Sequence, residues 1–305
     1  VSVLAITGAT GFVGSAVLAD ALAKGHAVRA LARRDQPAQG GVTWVRGDLN
    51  DTAALAALVD GADAVIHVAG LTNTPDPAEF EAANVTGTAN VLAAMTGTGA
   101  RRLVFVSSLS AREPKLSAYG ASKAKAETLV EASGLDWTTV RPPGVYGPRD
   151  VDYLEMFRTA KLGFVPLPPG GASSIIHADD LARLLVALAA SNAAPTRKTV
   201  YEPDDGREGG WSHKELAQAI GEAVGKRRVF APHLPRVVLK SAATADRLLR
   251  GDRARLTPDR VGYMCHPNWV SRFDRKPPPG IWEPRIAGEE GLKATAEWYL
   301  RQGLL

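Results

Sequence analysis

A tyrosine and a lysine stand four residues apart in Tyr119-Gly120-Ala121-Ser122-Lys123. On a helix, positions i and i+4 share a face, so a phenol and an ammonium would project into one space. A free phenol titrates at about 10, too high for efficient proton exchange near neutrality. A neighbouring Lys⁺ favours the phenolate, which would give the pair the makings of a general acid/base. The same spacing is common on solvated helices with no chemical role. The pair therefore means little without elements that position it.

Those elements are legible upstream. Short, continuous apolar runs at Val3–Thr7, Ala27–Ala32, Thr43–Arg46, Ala64–Val68 and Leu103–Ser107 suit strands buried on both faces. Between them Ser15–Lys24, Ala53–Val59 and Ala83–Met95 have helical spacing, and Ala121–Ala132 and Trp137–Arg141 continue the alternation. Repeated strand–helix units predict an α/β fold, a doubly wound parallel sheet of Rossmann type. Leu181–Ala190 is nearly all apolar and is expected to pack inside, whereas beyond Tyr201 the composition turns polar and basic. A partition follows: 1–147 with 172–203 as the dinucleotide-binding part, and 148–171 with 204–305 as a smaller substrate-binding region.

Gly8-Ala9-Thr10-Gly11-Phe12-Val13-Gly14 follows the first strand and opens the first helix. Glycines there permit a tight turn and let the backbone approach a pyrophosphate at the helix N-terminus. After the second strand the chain reads Ala32-Arg33-Arg34, with no carboxylate before Asp35. Guanidinium groups suit a 2′-phosphate through charge-assisted bonds, where an acidic residue would instead take the ribose hydroxyls. The cofactor expected is NADP(H) ahead of NAD(H).

With that loop, Gly47-Asp48-Leu49, Val68-Ala69-Gly70 and the Tyr119/Lys123 pair, the chain resembles the short-chain dehydrogenase/reductase superfamily. Arg141-Pro142-Pro143-Gly144-Val145-Tyr146-Gly147-Pro148 and Ile176-His177-Ala178-Asp179-Asp180 look like its extended branch, over residues 1 to about 190. That branch contains nucleotide-sugar epimerases and dehydratases, dihydroflavonol reductases, 3β-hydroxysteroid dehydrogenases and bacterial ceramide reductases. The resemblance implies roles by position. Tyr119 would be the acid/base, Lys123 would lower its pKa and hold the nicotinamide ribose, and Ser108 would hydrogen-bond the reacting oxygen, with Ser107 and Ser110 as substitutes. Gly8, Thr10, Gly11, Phe12, Val13 and Gly14 would cradle the pyrophosphate, Arg33 and Arg34 the 2′-phosphate, and Asp48 and Leu49 the adenine. Ala69, Gly70 and Ser107 would line the cofactor, Asn84 would support the site from a neighbouring helix, and Pro142, Gly144 and Val145 would flank the nicotinamide. His177 is expected to anchor the loop and helix after it. No metal ligands are assigned.

Two departures bear on the substrate. Only ten residues separate Ser108 from Tyr119, where sugar-nucleotide epimerases usually carry a longer insertion, and no acidic residue ends the second strand. Both favour a simple NADP(H)-dependent reductase of a bulky, largely apolar ketone, a keto-sphingolipid such as 3-keto-ceramide included. A nucleotide-sugar epimerase or dehydratase remains open, as does a non-catalytic dinucleotide-binding subunit.

Charge is uneven along the 305 residues. Lys226 to Lys276 holds 13 Lys/Arg against 4 Asp/Glu, a net of +9, which leaves −5 for the rest of a chain whose total is +4. Within it Leu234, Val237, Val238, Ala242, Ala245, Leu248 and Leu249 fall on one helical face, with Arg236, Lys240, Arg247 and Arg250 largely elsewhere. Such a helix suits peripheral contact with an anionic membrane, a roof over the substrate cleft, or a grip on a substrate phosphate. No nucleic-acid-binding module is recognisable in it. The lone Cys265 excludes an intrachain disulfide, reads as a buried structural thiol, and suits a reducing cytoplasm. No run reaches the roughly 18 apolar residues of a membrane span, and the first residues read as a strand rather than a signal peptide. Helices 83–95 and 119–132 are candidates for a homodimer contact.

Overall fold

The computed structural model describes residues 2–251, 254 and 256–305; Val1 and, in the basic stretch, Asp252, Arg253 and Arg255 lie outside the described residues. Strand and helix alternate as β1 (Val3–Thr7), α1 (Phe12–Ala23), β2 (Ala27–Ala32), β3 (Val42–Arg46), α2 (Thr52–Val59), β4 (Ala64–His67), α3 (Pro77–Phe80), α4 (Gly87–Thr96), β5 (Arg102–Val106), α5 (Ala118–Ala132) and β6 (Asp136–Val140). The chain then leaves the sheet for β7 (Gly144–Tyr146), α6 (Leu154–Lys161), β8 (Ala172–Ser173), β9 (Ile175–His177) and α7 (Ala178–Ala190). It returns as β10 (Thr199–Tyr201).

Seven parallel strands form the main sheet in the order β10-β6-β5-β4-β1-β2-β3. Successive side chains point to opposite faces of a strand, so Leu4 and Ile6 join α1 and α7 in one core while Ala5 joins α2, α4 and α5 in the other. This two-sided burial is why the strands read as unbroken apolar runs. The strand order reverses between β1 and β4. In open sheets of this kind the ligand crevice lies outside the carboxyl ends of the strands at that point. The glycine loop after β1 and Val68–Gly70 after β4 both open there.

The remaining elements are β11 (Trp211–Ser212), α8 (His213–Ala223), α9 (Arg236–Arg250), α10 (Pro258–Met264), β12 (Asn268–Trp269) and α11 (Gly288–Arg301). Tyr146, Phe157, Ile175, Trp211, Leu216, Leu292 and Tyr299 form their main core. Tyr146 and Ile175 lie in the stretches expected for the dinucleotide-binding part, so the two parts interlock at β7 and β9. Buried Asp180 strengthens the join by accepting the amides of Arg285 and Ile286, each at 2.9 Å.

Three details sharpen or differ from the pattern expected of the sequence. The helix expected over 83–95 is interrupted: residues Glu81–Thr86 form a π-helical turn between α3 and α4. Such an inserted turn is invisible to a 3.6-residue period and recurs at functional sites. In α9 the buried residues are Leu239 and Ala243, which pack on Val261 of α10, while the apolar face named above points outward. Cys265 is half-buried at the edge of that small cluster rather than enclosed.

Candidate active site

Three contacts fix the start of α5 and, with it, Tyr119. The Ser117 side chain caps the helix by accepting the Gly120 amide at 2.9 Å. From α10, the Asp259 carboxylate accepts the Ala118 amide at 2.5 Å and the Tyr119 amide at 3.3 Å. Gly120 lets the helix approach the short turn Leu109–Arg112 closely, since a Cβ there would come within 2.7 Å of the Ser110 carbonyl oxygen.

That approach brings the Ser108 hydroxyl near enough to the Tyr119 phenol to favour its charged form. Ser108 also accepts from the Ser110 amide at 3.2 Å and hydroxyl at 3.0 Å, which leaves its own proton for donation. Capping the turn and acting on the phenol are thus done by one hydroxyl. Burial pushes the Tyr119 phenol up to about 12, the Ser108 hydroxyl opposing. This corrects the expectation that Lys123 would bring the phenol toward neutrality. The Lys123 ammonium instead donates to the Val106 carbonyl oxygen at 2.7 Å and lies 4.7 Å from the centre of the Phe105 ring. Burial lowers the ammonium to about 8, with Glu127 one turn on pulling the other way. Glu127 is itself held by one edge of the Arg141 guanidinium, Nε donating to Oε1 at 2.9 Å and Nη2 to Oε2 at 2.5 Å.

Asn84 sits in the π turn, buried, and its amide is fully used within the protein. It accepts the Leu71 amide at 2.7 Å and donates to the Leu71 carbonyl and the Ser122 hydroxyl, both at 2.9 Å. Ser122 in turn donates to the Tyr119 carbonyl at 2.8 Å. Asn84 therefore ties the loop after β4 to α5 as a positioning residue, without a spare donor for a cofactor.

The crevice residues are compatible with a dinucleotide. Gly14 allows α1 to start directly against the β1 turn, since a Cβ would lie 1.9 Å from the Gly8 carbonyl oxygen. The N-terminus of α1 has no side-chain cap, so its amides stay open toward Thr10 and Gly11, both exposed. Phe12 and Val13 are half-buried beside them. Arg33 and Arg34 emerge at the end of β2, exposed, and neither guanidinium has a partner among the described residues. Asp35, one residue on, is paired with Arg46 at 3.3 Å. Asp48 is exposed and accepts the Asn50 amide at 2.8 Å; Leu49 is half-buried against Gly87. Ala69 and Gly70 border the crevice, and the buried Ser107 hydroxyl at the end of β5 lacks a partner among the described residues. Pro142 is buried and accepts the Leu109 amide at 3.1 Å, which fixes its turn beside Ser108. Val145 pairs with Ile176, and Gly144 lies against the Tyr153 hydroxyl. His177 caps α7 through the Asp179 amide at 3.2 Å, an anchoring role.

The remaining surroundings of Tyr119 carry no motif. Tyr263 and Phe80 face the Tyr119 ring at 6.1 and 5.7 Å between centroids. Arg260 bonds Asp152 at 3.0 Å, and both act electrostatically on the Tyr119 phenol. Asp259, Arg260 and Tyr263 come from a helix whose start was signalled only by Thr257-Pro258, an N-cap followed by proline at N1. A cavity of about 650 Å³ lined by Trp211, Lys214, Phe230 and neighbours shares no residue with this crevice.

Residues 8–192 match a family described as NAD(P)H-binding. The ceramide reductase of Caulobacter vibrioides is 34% identical over 99% of this chain and 96% of its own length. A 2-alkyl-3-oxoalkanoate reductase of Stenotrophomonas maltophilia is 30% identical, over 94% of this chain and 96% of its own. The fold is that of MoeE5 solved with UDP-glucose and NAD, with a TM-score of 0.76, 24% identity and 99% of each chain covered.

Proposed function

The chain belongs to the NAD(P)H-binding proteins of the extended short-chain dehydrogenase/reductase branch, and on that premise we propose that it reduces ketones of bulky, lipid-like molecules with NADP(H). The coarser class, an NAD(P)-dependent oxidoreductase, comes with the family. The reading rests on one arrangement, the Tyr119 phenol beside the Ser108 hydroxyl at the mouth of the crevice; burial pushes that phenol up, so it stays protonated at neutral pH. A protonated phenol is what a ketone needs as it becomes an alcohol.

In this reading Ser108 and Tyr119 hold the carbonyl oxygen by two hydrogen bonds. When bound, the reduced nicotinamide supplies the hydride. Tyr119 releases its proton to the oxygen as charge builds there, and Ser108 gives its single proton to the developing alkoxide. Lys123, with its charge intact below about 8, adds positive potential at the base of the site. Asn84 and Asp259 keep Tyr119 in place. The unpartnered Arg33 and Arg34 support NADP(H) over NAD(H), as donors suited to a 2′-phosphate.

A lipid-like ketone is supported by the aromatic wall of Phe80 and Tyr263 against the tyrosine ring, and by relatives named for ceramide and alkyl-oxoalkanoate reduction. The test is NADPH consumption by purified protein with 3-keto-ceramide in mixed micelles, against UDP-glucose. Consumption with the keto-lipid alone is expected. Conversion of UDP-glucose by protein that retains NAD through purification would overturn the reading in favour of an epimerase.

A further inference from the structure

We propose that α9 is a docking surface for an anionic lipid bilayer. The helix shows three strips. Leu239 and Ala243 are buried against Val261 of α10. On a helical projection Arg236, Lys240 and Arg247 fall within about 40° of one another, beside that buried strip. All three are exposed, with no acidic partner among the described residues. The remaining arc, roughly 140° wide on the side away from the protein, holds Val237, Val238, Ala242, Ala245, Leu248 and Leu249, with Ser241. Exposure there is high: 74% for Val237, 82% for Leu248 and 85% for Leu249.

A helix that roofs a cleft would turn its apolar arc inward; this one buries a narrow strip and leaves the wide arc in solvent. Large exposed apolar arcs on a folded chain mark a partner surface. The unpaired basic strip, set between the buried strip and the arc, carries side chains long enough to reach past the helix flank and selects an anionic occupant; the combination suits a helix lying in the plane of a membrane interface. The rest of the chain carries a net −5 against +9 in 226–276, so an anionic surface attracts this face and repels the others. A second copy fits less well. It would cover the apolar arc but give the unpaired cations no anionic partner. No helix among the described residues is long and apolar enough to cross a membrane, so the contact is peripheral.

The position of α9 connects this surface to the crevice. It rests on α10, and α10 carries both Tyr263, against the Tyr119 ring, and Asp259, on the Tyr119 amide. A lipid leaving the bilayer at α9 would thus be one helix away from the tyrosine. Docking itself does not depend on what the enzyme reduces, and its test does not use activity.

Full-length protein is sedimented with vesicles of phosphatidylcholine alone and with vesicles containing phosphatidylglycerol. Binding to the anionic vesicles only, weakened by high salt, is expected. R236Q/K240Q/R247Q should lower the partition coefficient about a hundredfold, three charges removed from the membrane surface. V237S/L248S/L249S, all at exposed positions, should abolish retention while circular dichroism and light scattering stay those of the wild type. Absence of wild-type binding to anionic vesicles would overturn the proposal. So would a wild-type dimer that the serine variant converts to monomer without change in vesicle binding, because the arc would then belong to a second copy.

Discussion

Asp259 of α10 caps the helix that carries Tyr119, accepting the Ala118 and Tyr119 amides at 2.5 and 3.3 Å across 140 residues of sequence. The basic C-terminal part thereby holds the tyrosine of the dinucleotide-binding part in register. Asp259→Ala removes a carboxylate from a helix N-terminus and should cost about 1 kcal/mol of stability. The larger effect should fall on turnover. A small displacement of Tyr119 is expected to lower kcat roughly ten- to a hundredfold with little change in the KM for NADPH. Stopped-flow and steady-state kinetics beside urea titrations would separate the two; equal loss in kcat and cofactor affinity would point to a general collapse of the site.

The high phenol pKa predicts different pH profiles for the two directions. Tyr119 stays protonated well past neutrality, so ketone reduction should show no loss from its titration between pH 6 and 9. Alcohol oxidation needs the phenolate and should rise about tenfold per pH unit over the same range. Tyr119→Phe should lower reduction by roughly a thousandfold and erase the slope of oxidation. A reduction rate that falls through pH 7 would mean the phenol titrates far lower, under the control of Lys123.

Arg33 and Arg34 stand exposed at the end of β2, without a partner among the described residues, and the proposed function assigns them a 2′-phosphate. Charge-assisted bonds are worth about 1.5–3 kcal/mol each, so Arg33→Ala is expected to raise the Kd of NADPH ten- to a hundredfold. The Kd of NADH should move less than threefold. Fluorescence titration of both cofactors checks this. Equal losses for the two would assign the arginines to some other duty.

The sheet, its helices and the crevice were open to sequence reading because each rests on local pattern. Buried strands are apolar runs, and the glycine loop needs its spacing for steric reasons that hold wherever it occurs. The carry-over of Ser108 and Tyr119 rested on motif, and the fold sets the two side chains near one another. What stayed hidden depends on distant chain segments. Asp259, Arg260 and Tyr263 reach Tyr119 from a helix without any motif, and the π turn that seats Asn84 leaves no mark on a helical period. The sign of the phenol shift was misread for the same reason: spacing shows that Lys123 shares a helix with Tyr119, but not that its ammonium is spent on Val106 or that burial outweighs it.

Lys123 carries a stability cost through its buried charge. Its ammonium is lowered from the usual 10.5 to about 8 by burial, so between those values the unfolded chain holds a proton that the folded protein lacks. Stability therefore rises with pH across that window, and below pH 8 the whole penalty, roughly 3 kcal/mol at 1.36 kcal/mol per unit, is in force. Lys123→Met removes the charge and keeps most of the volume, though it leaves the Val106 carbonyl without its donor at a cost of about 1–2 kcal/mol. The net expectation is a variant about 1–2 kcal/mol more stable than wild type at pH 7, with the advantage gone or reversed by pH 10.5, and inactive at both. Urea unfolding at the two pH values gives the comparison. A variant less stable than wild type at pH 7 would show that the ammonium is better solvated or better paired than its contacts with Val106 and Glu127 imply.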